Sequence, residues 1–260
     1  MRARARLIVP TAVFLLSPIA AFSQAVDKTT DLKPFDTLEV GGCFDTRLTP
    51  GTPERVVVNA TAEQYARMRV VQEGKTVKIG FTERAFDDYN VCRGGKISVS
   101  ITANFAKDQP VDLRFAGSGS VDADVPRVAK LTTATSGSGS LTLRGAAADC
   151  RLAVAGSGGT DARSLNCDAS TGVAINGSGS TKLNGKTKVC EFMINGSGGI
   201  GADEFACESA DVSINGSGSV ALAKISDLKV AINGSGSVKY RGQPTLRGID
   251  IHGSGRLQQL

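Results

Sequence analysis

A Gly-Ser-Gly unit recurs eight times in this chain, with its first glycine at Gly117, Gly137, Gly156, Gly177, Gly196, Gly216, Gly234 and Gly253. The spacings are 20, 19, 21, 19, 20, 18 and 19 residues. Self-similarity at a fixed period marks an architecture in which like units stack. Two residues before the first glycine the chain carries Phe115, Thr135, Val154, Ile175, Ile194, Ile214, Ile232 and Ile251. Four before it stands another mostly apolar set, from Leu113 to Ile249, and four after it a third, from Val121 to Leu257. Apolar, β-branched positions at period two mean strands with one buried face. No helical periodicity accompanies them, so each unit reads as one coil of a single right-handed parallel β-helix, an all-β solenoid with about 20-residue coils. One coil is too thin to bury its own apolar face, and stacking makes a narrow column of Ile, Val and Leu. Such a column explains how a chain with 5% aromatic residues and no tryptophan can form a core.

The glycines let the backbone take positive φ at a corner without a Cβ clash. In four units the corner is preceded by asparagine: Asn176, Asn195, Asn215 and Asn233. Stacked at about 4.8 Å, these amides can bond from coil to coil. His252, the single histidine, occupies the same register and reads as another polar ladder position. One histidine also argues against a Ser-His-Asp triad or a multi-histidine zinc site.

Residues 1–25 read as a secretory signal peptide, with Arg2, Arg4 and Arg6 ahead of the apolar Leu7–Leu16 and a small-x-small site at Ser23-Gln24-Ala25. Its apolar run is broken by proline and short of the roughly 20 residues that a membrane span needs. Removing it takes the formal charge from +5 to 5 − 3 = +2, too little to suggest nucleic acid as a partner. Residues 26–116 lack the repeat but are strand-rich, with candidates Phe35–Val40, Arg55–Ala60, Arg69–Gln72, Thr76–Phe81 and Lys96–Thr102. Glu73-Gly74-Lys75 reads as a hairpin turn, and Thr61–Met68 as one helical turn or two. This part is expected to cap a solenoid continued by residues 117–260.

The leader, the Phe-Asp-Thr-Leu-Glu-Val-Gly-Gly start at Phe35–Gly42 and the recurring Asn-Gly-Ser-Gly units resemble the head GIN domain family, over roughly residues 35–257. The family consists of bacterial exported proteins also described as autotransporter adhesins. The resemblance implies a right-handed β-helix-like fold in the cell envelope or outside the cell. It supplies no catalytic residues. The sequence reaches Leu260 without a membrane barrel after the solenoid, so the autotransporter part of the description is not expected to apply.

The motifs that would carry chemistry read as chance matches or surface charge. Gly196-Ser197-Gly198-Gly199-Ile200-Gly201 fits G-x-G-x-x-G, but no helix follows to hold a pyrophosphate and the sister units lack the third glycine. No nucleophile elbow or phosphate loop occurs. Calcium-binding β-rolls need Asp where this repeat has Ser, so no metal and no cofactor is expected. A β-helix lyase or hydrolase needs clustered carboxylates. Here the outward row five residues past the first glycine is mixed, and Asp87-Asp88 and Asp203-Glu204 are isolated pairs.

Six cysteines in an exported chain read as three disulfides. Cys150 and Cys190 lie 13 residues past their unit's first glycine, Cys167 and Cys207 lie 11 past theirs. Pairing Cys150–Cys167 and Cys190–Cys207 links neighbouring coils, whereas Cys167–Cys190 would strand the outer two coils apart, beyond the roughly 7 Å reach of a bridge. Cys43–Cys92 follows by elimination.

Function is expected to be non-enzymatic binding or adhesion by an exported periplasmic, extracellular or surface protein. The alternatives are a carbohydrate-active β-helix enzyme and a passive rod. Partners would be a glycan or an envelope protein, with weak self-association through open solenoid ends. The candidate ligand face is formed by Asn176, Ser178, Asn195, Ser197, Asn215, Ser217, Asn233 and Ser235, since serine follows every first glycine. Alternation points these residues away from the core. A second, incomplete row (Ser120, Ser140, Ser180, Ser219, Ser237) lies two residues on. The competing reading is that these serines close the corner by bonding local backbone.

Overall fold

A computed structural model describes residues 24–82, 92 and 96–260. Residues 1–23 of the leader and Asp87-Asp88 lie outside the described residues. The chain is a β-solenoid of about 8 turns with roughly 20-residue coils.

The repeat region is built from β9 (Ser120–Gly137), β10 (Ser140–Gly156), β11 (Gly159–Gly177), β12 (Ser180–Gly196), β13 (Gly199–Gly216) and β14 (Ser219–Gly234). It continues through β15 (Ser237–Arg241), β16 (Thr245–Gly253) and β17 (Arg256–Gln259). Each pairs in parallel with the equivalent stretch of the next coil. β12 shows how a coil closes. Thr181 and Leu183 point inward, then Thr187, then Cys190, Phe192 and Ile194. Alternation fails at Asn184–Lys186 and again at Lys188-Val189. These breaks and the Gly-Ser-Gly turn make three corners, so the coil has three sides. Coil lengths vary from 18 to 21 residues, and the variation is absorbed mostly at the corners that follow the first and second sides, where the register shifts. The side leading into Gly-Ser-Gly stays in step, Gly177 beside Gly196, Gly196 beside Gly216 and Gly216 beside Gly234.

The core is the expected column: Val154, Ile175, Ile194, Ile214 and Ile232 stack with Leu152, Val173, Phe192, Val212 and Val230, all buried. Threonines share it. Thr133, Thr160, Thr171 and Thr181 are buried with hydroxyls that find no partner among the described residues. Their β-branched shape suits the pleat while the unpaired hydroxyl costs stability.

The N-terminal part differs from a uniform parallel helix. β2 (Thr37–Gly42) and β3 (Asp45–Pro50) lie parallel to β8 (Pro110–Gly117) and to β9, with Gly42 in register with Gly117. Gly42-Cys43-Phe44 is therefore a degenerate corner of the same ladder. Above it the strands are partly antiparallel: β1 (Val26–Asp31) on β4 (Arg55–Ala60), β4 on β7 (Ser98–Ala103), and β5 (Met68–Glu73) on β6 (Thr76–Phe81). β5 and β6 meet at Gly74-Lys75, where Gly74 has φ +59°. Among the described residues one helix occurs, α1 (Ala62–Ala66), which starts from a capping box in which the Gln64 amide donates to the Thr61 hydroxyl at 3.2 Å and the Thr61 amide to the Gln64 side chain at 3.0 Å. Phe35–Phe105 and Phe44–Phe81, with ring centroids 5.4 and 4.9 Å apart, fill this end.

Disulfides join Cys43 to Cys92, Cys150 to Cys167 and Cys190 to Cys207, with Cα separations of 6.0, 5.9 and 6.1 Å. Cys150 is in register with Thr171 rather than Cys167, whose partner in β10 is Ala147. Each of the latter two bridges thus runs between adjacent coils across a corner, inside the core.

Candidate ligand-binding face

The geometry of the Gly-Ser-Gly corner explains both glycines. The first takes φ between +97° and +129° in the seven units from Gly117 to Gly234. A Cβ on Gly196 would also stand 2.4 Å from the Gly177 carbonyl oxygen of the coil before. The second glycine faces inward, and a Cβ on Gly198 would stand 2.6 Å from Cγ2 of Ile175. Between them, the serine is pushed to the outside. Ser178, Ser197, Ser217 and Ser235 are all exposed, as are Asn176, Asn195, Asn215 and Asn233.

Backbone groups close the corner. The Ser197 amide donates to the Gly177 carbonyl at 3.0 Å, Ser217 to Gly196 at 2.9 Å and Ser235 to Gly216 at 2.9 Å. The hydroxyls of these serines make no hydrogen bond to protein among the described residues. Beside them the asparagines form a continuous ladder: Asn195 Nδ2 donates to Asn176 Oδ1 at 2.9 Å, Asn215 to Asn195 at 3.0 Å and Asn233 to Asn215 at 3.1 Å. His252 takes the next rung, in register with Asn233, and its Nε2 lies 3.0 Å from Asp250 Oδ1. Serine hydroxyls and asparagine amides therefore run side by side along the solenoid axis.

Traced toward the N-terminus, the asparagine row becomes small: Ala155, Ser136, Ala116 and Gly41 occupy successive rungs. With Ala134 and Ala153 they floor a groove of about 640 Å³, beside which Arg69 and Val71 of β5 stand. Reasoning from the repeat alone missed this groove. Its signal was present in the outward alanines, but the hairpin that borders it comes from the irregular part.

Carboxylates on the outer faces are mostly spoken for by neighbouring cations. Arg163 Nη2 lies 2.6 Å from Asp161, Arg247 Nε 2.8 Å from Asp227, and Arg144 contacts both Asp122 and Asp124. Glu204 accepts from Asn184 Nδ2 at 3.1 Å. The hydrogen bond from Arg163 holds the Asp161 carboxyl below the ordinary range, and Arg247 does the same to Asp227. That direction is opposite to the one a general acid requires.

The family described as "Putative auto-transporter adhesin, head GIN domain" matches residues 34–179 and 169–244. Among solved structures, a "Putative lipid binding protein" from Parabacteroides distasonis is 21% identical with a TM-score of 0.80, covering 91% of this chain and 97% of that one. A "putative adhesin" from Parabacteroides merdae is 18% identical with a TM-score of 0.76, covering 91% and 96%. A "putative adhesin" from Bacteroides fragilis is 18% identical with a TM-score of 0.58, covering 91% and 97%. No curated protein sequence matches the chain.

Proposed function

The chain belongs to the head GIN domain family, and on that premise we propose that it is a non-enzymatic exported protein of the cell envelope or surface that binds a partner along its solenoid. The observation that carries this reading is the strip of outward serine hydroxyls without a hydrogen-bond partner among the described residues, running beside the asparagine ladder. At about 4.8 Å per rung, a glycan chain or an envelope protein with its own short repeat meets the same donors and acceptors again and again. Weak contacts repeated along one rigid axis add to useful avidity.

Export follows from residues 1–25 acting as a signal peptide, leaving residues 26–116 as the cap and 117–260 as the repeat. Three disulfides suit an oxidising compartment, the periplasm or the exterior. The arginine-held carboxylates favour binding over catalysis. Exposed Leu246 and Ile249 of β16 make weak self-association part of the same reading.

The test replaces Ser178, Ser197, Ser217 and Ser235 together by alanine and screens mature protein on a glycan array. Binding to uncharged glycans is expected to disappear while the melting temperature stays unchanged. A collapse in melting temperature, or uncharged-glycan binding that survives, overturns the assignment of this strip. The groove beside β5 supports a second reading, that an acyl chain lies on its alanine and glycine floor, as the description of one structural neighbour would suggest. Fatty-acid probes on the same array separate the two.

A further inference from the structure

The first side of each coil, past the Gly-Ser-Gly corner, carries a different outward row. Five residues after the first glycine it reads Asp122, Thr142, Asp161, Lys182, Gly201, Ala221, Lys239 and Gln258. The two aspartates are held by Arg144 and Arg163. Beyond them the row changes character. Lys182 is in register with Gly201, Gly201 with Ala221, and Ala221 with Lys239. Two exposed lysines therefore stand three rungs, about 14 Å, apart, with almost no side chain between them.

The space they enclose is a groove of about 360 Å³, along which Ser180, Ser219 and Ser237 also lie. Among the described residues neither lysine closes an ion pair. Lys182 feels Asp161 only at longer range, and that carboxylate is already bound by Arg163 at 2.6 Å. Nearby, Lys224 and Arg241 are register partners, like charges on adjacent rungs, and Arg256 is in register with Ser237. These three are likewise exposed and outside any ion pair among the described residues. Asp203 borders Gly201 and offsets part of the charge. Elsewhere Arg114, Arg127, Arg144, Arg163, Lys229 and Arg247 are all paired with carboxylates. Five cations outside any ion pair among the described residues thus gather around one groove, while others such as Arg47, Lys130, Arg151, Lys186 and Lys188 are scattered over the rest of the surface. Like charges on facing rungs cost stability when nothing of opposite sign lies between them.

We propose that this groove binds a linear carboxylated polysaccharide. Its carboxylates meet Lys182 and Lys239, and its ring hydroxyls meet the serine row. The wider cation cluster draws the chain in. Charge complementarity commits the site to a polyanion, and the lining selects among polyanions. Among the described residues no aromatic side chain lines the groove, so it offers single-stranded bases no ring on which to stack. Its apolar lining residues, Ile200 and Val220, are buried in the core, so nothing projects to enter a lipid layer. The site lies on a different side of the coil from the serine–asparagine strip and does not depend on it.

The test measures binding of the mature chain to polygalacturonate at low salt, with neutral dextran as control. The wild type is expected to bind polygalacturonate and not dextran, and to lose affinity as salt rises. Lys182→Ala/Lys239→Ala should weaken binding about tenfold or more with an unchanged melting curve, and Lys182→Arg/Lys239→Arg should restore it. The four-serine variant should bind polygalacturonate like the wild type, so the two sites fail separately. A wild type that ignores polygalacturonate, or a double alanine variant that binds it equally well, overturns the proposal. Single-stranded DNA competing as effectively as polygalacturonate overturns the choice of a glycan.

Discussion

Alanine at Gly196 tests the corner argument directly. The residue has φ +129°, and its new Cβ would meet the Gly177 carbonyl oxygen at 2.4 Å. That oxygen cannot swing away, because it accepts the Ser197 amide at 3.0 Å and belongs to the previous coil's own corner. Forcing a side chain into this backbone region costs about 1–3 kcal/mol. Opening the rung enough to relieve the contact sacrifices at least one coil-to-coil hydrogen bond, about 0.5–1.5 kcal/mol. The sum, about 1.5–4.5 kcal/mol, corresponds to a fall of roughly 3–18 °C in melting temperature for a chain of this size. Gly172→Ala is the control. It lies on the side leading into the same kind of corner, but its added Cβ would come no nearer than 3.8 Å to any neighbour and needs no positive φ. It should be neutral, or stabilise by about 0.4–1 kcal/mol through the unfolded chain. Thermal melting followed by circular dichroism at 218 nm or so, the usual β-sheet band, reads both variants side by side. If Gly196→Ala melts within roughly 2 °C of the wild type, close approach of the stacked corners is not what selects glycine there.

Two other outcomes follow from the bridges and the charges. Replacing Cys190 and Cys207 by alanine removes a cross-link with a sequence separation of 17, and denaturant unfolding should show a loss of about 3 kcal/mol; an unchanged midpoint would mean that the bridge does not constrain the unfolded chain. Asp45 is held below the ordinary aspartate range by hydrogen bonds from Lys96 and Ser120. Its contribution to stability is therefore present above the unfolded value of about 3.9 and is lost as pH falls through the lower folded value. Asp45→Asn should flatten this part of the acid limb in a melting-temperature series, and an unaltered limb would remove Asp45 from the account.

How far the sequence was legible depended on repetition. Ile175, Ile194, Ile214 and Ile232 recur at one register, so errors at any single position were averaged out, and the coil, its core column and the glycine corners could be read directly. Cysteine spacing, reinforced by the same register, led to the pairings found. The N-terminal part offered no such averaging. Arg55–Ala60 and Thr76–Phe81 were readable because Val and Ile alternate there, but β1, with the exposed sequence Val-Asp-Lys-Thr-Thr-Asp, has no buried face to betray it. β3 buries only Thr46 and Leu48, too little for a periodicity argument. That Gly42-Cys43-Phe44 continues the corner ladder was hidden because phenylalanine stands where the second glycine should be, and only the register of β2 with β8 reveals it. The lysine groove was hidden for a different reason. It depends on which rungs lack a side chain, a property of neighbours in space that is spread over Lys182, Gly201, Ala221 and Lys239 in the chain.

The two bridges inside the repeat bear on what happens when the molecule is pulled. In a solenoid held by hydrogen bonds alone, force on one end peels coils away one at a time, and every freed residue adds extended length. Here Cys150–Cys167 and Cys190–Cys207 tie β10 to β11 and β12 to β13, each across a sequence separation of 17. At roughly 3.3–3.6 Å per residue, each bridge withholds on the order of 60 Å of extension while it stays oxidised. The seam between β11 and β12 carries no such tie, so the rod should yield there in paired coils. A rod built this way lengthens less under load than its chain would otherwise allow, and reduction of the bridges would release the rest.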